Sequence, residues 1–123
     1  MGKSVYIISL LVMILLNLIS CESTACCIQP QIELQGRFTH QILDCDNQEN
    51  PEINCIEWLE FLNSSEVDIL YGGGDIVYRF TYSQGQDFIS MEGPPTSSFK
   101  PIFIIRDSAT LVREDNGDIW RKE

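Results

Sequence analysis

Ile76-Val77-Tyr78-Arg79-Phe80-Thr81-Tyr82 is the stretch on which the fold turns. Ile76, Tyr78, Phe80 and Tyr82 fall on one side of an extended chain and Val77, Arg79 and Thr81 on the other, because successive side chains of a strand point to opposite faces. An antiparallel sheet with one packed face and one wet face produces this rhythm of two. The 3.6-residue rhythm of a helix is not sustained over a useful length anywhere in the chain beyond the leader.

Upstream of that stretch, Gly72-Gly73-Gly74-Asp75 supplies positive-φ positions for a hairpin. Before it, Val67, Ile69 and Tyr71 alternate with Glu66, Asp68 and Leu70, and Asn63-Ser64-Ser65 turns the chain out of a strand at Cys55–Leu62. A first strand is read at Leu34–Leu43, with Gly36 allowing a bend, and the polar run Asp44–Asn54 is a loop. Downstream, Ser83-Gln84-Gly85-Gln86 is a turn into Asp87–Glu92, where Ile89 and Met91 share a face. Gly93-Pro94-Pro95 ends that ladder. Lys100–Arg106 carries Ile102-Phe103-Ile104-Ile105, apolar on both faces and so expected to be packed on its outer side as well. Thr110–Arg113, the turn Asp115-Asn116-Gly117 and Asp118–Lys122 close the chain as a hairpin. The expectation is an all-β fold: a small up-and-down antiparallel β-barrel of about eight strands over residues 32–123. Eight strands enclose just enough room for side chains or one small ligand, and closure leaves no exposed edge.

The totals agree with one domain. The chain has 123 residues, 8 basic and 18 acidic, for a formal charge of −10, with 44% apolar and 21% charged residues. An acidic surface repels a phosphate backbone, so nucleic acid is excluded as a partner. This apolar content at this charge also excludes intrinsic disorder.

Residues 1–20 have the form of an export signal, with Lys3 followed by an apolar run from Val5 to Leu16. The run falls short of the roughly 20 apolar residues a spanning helix needs. Leu18-Ile19-Ser20-Cys21 resembles the lipobox of bacterial lipoproteins, in the looser form of the Bacteroidetes. That resemblance implies cleavage before Cys21 and its acylation, with residues 21–31 as tether. The expected location is the bacterial cell envelope, lipid-anchored on the periplasmic or outer-membrane face; a conventional secretory signal, giving a secreted protein, is the alternative. Removal of residues 1–20 takes away Lys3 and no acid, leaving a charge of −11.

Cys26, Cys27, Cys45 and Cys55 remain as disulfide candidates in an exported chain. A bridge between the adjacent Cys26 and Cys27 would be strained, so the expected pattern staples the N-terminal stretch to Cys45 and Cys55. No Cys-x-x-Cys spacing points to zinc.

Three segments resemble the small lipocalin-like and META-type domains of bacterial lipoproteins: Leu34-Gln35-Gly36-Arg37-Phe38, Ser108–Arg113 and Gly117–Lys122. The resemblance implies a lipocalin-like barrel over most of the mature chain and carries no fixed ligand motif.

No catalytic set is expected. His40 is the one histidine and is read as a surface or packed residue; carboxylate pairs such as Glu57 with Glu60, or Asp44 with Asp46, arise readily among 18 acids. Asp44–Asn50 offers oxygens in alternation but lacks the glycine and terminal glutamate of a calcium loop. No metal and no cofactor is expected. Trp58, Tyr71, Tyr78, Phe80, Tyr82 and Trp120 are candidates for the wall of a ligand pocket, and the same rings suit a packed core. The functional expectation is a non-enzymatic envelope lipoprotein whose barrel binds a hydrophobic small molecule or an envelope protein. The alternative is an acidic inhibitor of lysozyme or another hydrolase, steered by charge to a cationic protein.

Cys21→Ala is expected to release the protein from the membrane fraction, and mass spectrometry of the wild-type N-terminus to find acylated Cys21. Unchanged fractionation of the variant would contradict the anchor.

Overall fold

The computed structural model describes residues 30–123. The leader, Cys21, Cys26 and Cys27 lie outside the described residues. Gln31–Glu123 forms one unit built wholly of strands and their connections. In chain order these are β1 (Gly36–Gln41), β2 (Ile56–Phe61), β3 (Glu66–Leu70), β4 (Tyr78–Gln84), β5 (Phe88–Glu92), β6 (Ile102–Asp107), β7 (Thr110–Arg113) and β8 (Ile119–Lys122). Each pairs antiparallel with its neighbours in sequence, and β8 returns to β1, so the sheet is a closed barrel of eight strands. Outside the long loop between β1 and β2, short connections enforce this order, because a chain with few residues to spare can only return beside the strand it has left.

Alternation assigns the faces. Phe38, Leu59, Val67, Ile69, Phe80, Ile89, Met91, Phe103, Leu111 and Trp120 point inward and are fully buried. All eight strands contribute, so the middle of the barrel is filled by side chains, as the small diameter of an eight-stranded closure requires. Edge-to-face contacts set the larger rings: Phe38 on Phe61 at 5.8 Å and Phe103 on Trp120 at 5.3 Å between centroids. At Gly93 the backbone passes over Phe80, and an added Cβ would stand 2.7 Å from that ring.

Three sequence expectations shift. Ile76 and Val77 are exposed and precede β4, because the loop from Gly72 takes them up; at the other end β4 runs through Ser83 and Gln84, which pair with Ser90 and Ile89. The outward residues of β6 are sheltered sideways rather than by a further layer. Phe88, Ile104, Val112 and Ile119 are register partners in turn across β5, β6, β7 and β8, making an apolar row on the outer wall. The disulfide joins Cys45 to Cys55 and not to the N-terminal stretch. Both cysteines lie in the connection between β1 and β2, whose strands are paired at Gln41 and Ile56, and this brings their Cα atoms to 5.5 Å. The bond therefore closes the long loop on itself.

Trp120→Ala or Phe38→Ala is expected to lower stability by about 3–5 kcal/mol, because each ring is fully enclosed. Val77→Ala, at an exposed position, should stay within about 0.5 kcal/mol of wild type. Urea unfolding measures both, and equal effects at the two kinds of site would contradict the packed interior.

Candidate functional site

Antiparallel order gives the barrel two unlike ends. At one lie the connections β1–β2, β3–β4, β5–β6 and β7–β8; at the other lie the approach to β1, the three remaining connections and the C-terminus. The first end is acidic. Its loops carry Asp44, Asp46, Glu49 and Glu52, then Asp75, then Glu114, Asp115 and Asp118, against the single base Lys100.

The loops of this end are held by their own polar groups. Asp46 Oδ1 accepts from Gln48 N at 2.9 Å, and Asn50 Oδ1 accepts from Glu52 N at 3.0 Å. These oxygens turn back on the loop's own backbone, as short Asx turns do, and do not converge as a calcium loop would. Asn54 N donates to Gly73 O at 3.0 Å, tying the β1–β2 loop to the β3–β4 loop. Gly72 and Gly73 take φ of 72° and 73°, a left-handed turn that L side chains resist. The turn brings Gly72 N within 2.7 Å of Glu57 Oε1, to which it donates.

Glu57 is the unexpected residue of this end. It lies on the same side of β2 as Leu59 and Phe61, faces inward and is only 6% exposed, the one charged residue buried in the described barrel. Glu60 lies on the outer face, where it accepts from Arg37 at 2.8 Å, so Glu57 and Glu60 do not form a pair. Beside Glu57 stand His40, two residues beyond Phe38 on β1, and Asp118, two residues before Trp120. One ligand atom from each of the three lies within 4.8 Å of the others. The His40 ring stacks on Trp120 with centroids 5.7 Å apart, and its Nδ1 is 3.1 Å from the Ile119 carbonyl oxygen. Because a carbonyl only accepts, the Nδ1 proton is the donor there. His40 Nε2 faces Asp118 Oδ2 at 3.4 Å, and Asn116 Nδ2 donates to that same Oδ2 at 2.6 Å.

Arg113 completes the rim. Its guanidinium lies 4.7 Å over the Phe99 ring, and its Nη2 donates to Asp115 Oδ2 at 2.8 Å. Nε is 2.7 Å from Asp115 Oδ1 but out of line for a hydrogen bond, so that contact is one of charge only.

The six aromatic pocket candidates are distributed over several places. Phe80 and Trp120 are fully enclosed core. Tyr71 and Tyr78 are half-buried under the β5–β6 loop, where Tyr71 stacks on Phe99 at 4.0 Å beside a recess of about 500 Å³. Tyr82 is at the opposite end, in a groove of about 740 Å³ bounded by residues 31–36 and 61–64. Trp58 is on the outer wall beneath the Arg37 guanidinium, 4.3 Å from its ring centre. Asn63 holds the turn before β3, as its sequence suggested: its Oδ1 accepts from Ser65 N and Glu66 N, each at 2.9 Å.

The chain matches no protein-family model, no curated protein and no solved structure. Function is therefore read from the site.

On the outer wall, hydrogen bonds from Arg79 hold the Asp68 carboxyl below its usual range. Burial pushes the Tyr82 phenol up, while its hydroxyl donates to Asn63 O at 2.8 Å. The folded chain keeps that phenolic proton above about pH 10, where the unfolded chain begins to lose it. The stabilisation is thus complete below that pH and fades as pH rises through the raised value. Tyr82→Phe should flatten this alkaline loss while costing about 1 kcal/mol at neutral pH for the lost hydrogen bond. Urea midpoints taken at neutral pH and above pH 10 read both effects; an unaltered alkaline slope would contradict the assignment.

Proposed function

We propose that this protein is an exported, lipid-anchored, non-enzymatic binding module that engages a cationic envelope protein through the acidic end of its barrel. The observation that carries the reading is the segregation of charge: eight carboxylates and one base occupy the four loops of a single end. Such a concentration steers a basic surface toward that end and orients it on arrival. The filled interior supports a protein partner over a stored apolar molecule, because the middle of the barrel is occupied by the protein's own rings. The leader and the lipobox-like Leu18–Cys21 supply the export and the anchor of this reading. The Cys45–Cys55 bond accords with an oxidising compartment.

A second reading, inhibition of a cationic hydrolase such as lysozyme, draws on the same acidic end. One titration tests both. With lysozyme as the cationic probe, association is expected at ionic strength on the order of 0.01 M, where the screening length is about 30 Å, and should weaken steeply by 0.15 M. Replacing Asp44, Asp46, Glu49 and Glu52 by their amides should remove most of the binding. Failure to bind at low salt, or binding indifferent to the amides, would contradict the proposal; binding without loss of lysozyme activity would remove only the inhibitor reading.

A further inference from the structure

We propose that His40, Glu57 and Asp118 form a binding site for a divalent transition-metal ion of the zinc class, placed where the barrel closes on itself. The inference goes beyond the binding-module reading and does not depend on which partner the acidic end engages.

Three observations carry it. The first is the donor set. An imidazole nitrogen and two carboxylates from three different segments converge within 4.8 Å, a combination that suits zinc or manganese and leaves at least one coordination position for water. Ligand atoms about 2.1 Å from a common ion stand at most about 4.2 Å apart, so small side-chain rotations complete the site. The second is the backing of His40. Its Nδ1 proton is spent on the Ile119 carbonyl and its ring is fixed against Trp120, which leaves the Nε2 lone pair aimed at Asp118. Metal-binding histidines are commonly oriented in this way, by a carbonyl on the far nitrogen. Two acceptors facing each other at 3.4 Å repel unless a proton or a cation lies between them.

The third is Glu57, a carboxylate nine-tenths buried that accepts from Gly72 N–H and has no Lys or Arg ion pair among the described residues. A charge taken out of water without a counter-charge is costly, and a bound cation supplies one. The acidic loops around the mouth raise the local concentration of cations.

The location gives the ion a structural task. The closing pair β1–β8 has two register partners, Phe38 with Lys122 and Thr39 with Arg121, the shortest ladder of the barrel. His40 and Asp118 flank the seam immediately beyond it, and Glu57 stands opposite His40 in the β1–β2 register. An ion held by all three ties β1, β2 and the entry to β8 together.

The test uses the full chain, freed of metal with a chelator and titrated with zinc chloride. Calorimetry should give one ion per chain, and the melting midpoint should rise. Because His40 is the only histidine, its imidazole nitrogen resonances report ligation without overlap, and zinc should move Nε2. Glu57→Gln keeps an acceptor for Gly72 N–H, and Asp118→Asn alters a partly exposed residue outside β8. Each should weaken zinc binding by at least about tenfold. If Glu57→Gln does not fold, Asp118→Asn alone decides. His40 resonances unmoved by saturating zinc would overturn the proposal, whether the metal fails to bind or binds only the exposed loop acids. Resonances that move with pH and not with zinc would show a proton in the ion's place, and would overturn it equally.

Discussion

Closure of the sheet is the constraint on which the rest depends. Eight strands leave no free edge only if β8 meets β1, and they meet over just two register pairs. The ladder at that seam is too short to hold the barrel by itself. Packing across the interior does most of the work, with Phe38 from β1 and Trp120 from β8 both fully enclosed among the same rings. Because every strand contributes an inward side chain to one small volume, opening the seam would expose the whole core to water.

The same closure explains the difference between the ends. A strand that places large apolar residues at alternate positions has to finish somewhere, and its last inward position need not be apolar. At the loop-bearing end those positions are His40, Glu57, Tyr71, Tyr78 and Arg113, with Asp118 just outside β8. The polar inward groups sit at the mouth, where loops supply partners such as Gly72 N–H and the Ile119 carbonyl. The barrel thus separates a dry middle that confers stability from a charged rim. In the proposed reading function belongs to the rim, since the fold itself can host many unrelated activities.

Much of this was legible in the sequence, for a physical reason. Alternation is a strong signal wherever one face is buried, and together with the apolar run Ile102–Ile105 and turn signals such as Asn116-Gly117 it located all eight strands. The ends of β4 were less legible. Whether Ile76 and Val77 pair depends on how much chain the Gly72–Gly74 turn consumes, and that is settled by tertiary contacts such as Asn54 N to Gly73 O. The Cys45–Cys55 bond was missed as a pair because sequence distance does not reveal that β1 and β2 are in register at the mouth.

The rim cluster was missed although a signal for it was present. His40 is two residues from Phe38, Glu57 two from Leu59, and Asp118 two from Trp120, so each shares a face with a core residue. An inward charged or polar side chain on a strand is rarer than an outward one, and His40, Glu57 and Asp118 at strand ends on one side of a barrel would have pointed to the cluster. What alternation could not give was the register that brings β1, β2 and the entry to β8 side by side. The most direct check of closure is a nuclear Overhauser spectrum of the folded chain. Cross-strand contacts linking Phe38 with Lys122 and Thr39 with Arg121 are expected alongside those of the seven other strand pairs. A complete set for the other seven with none between β1 and β8 would mean an open sheet, and would contradict the account.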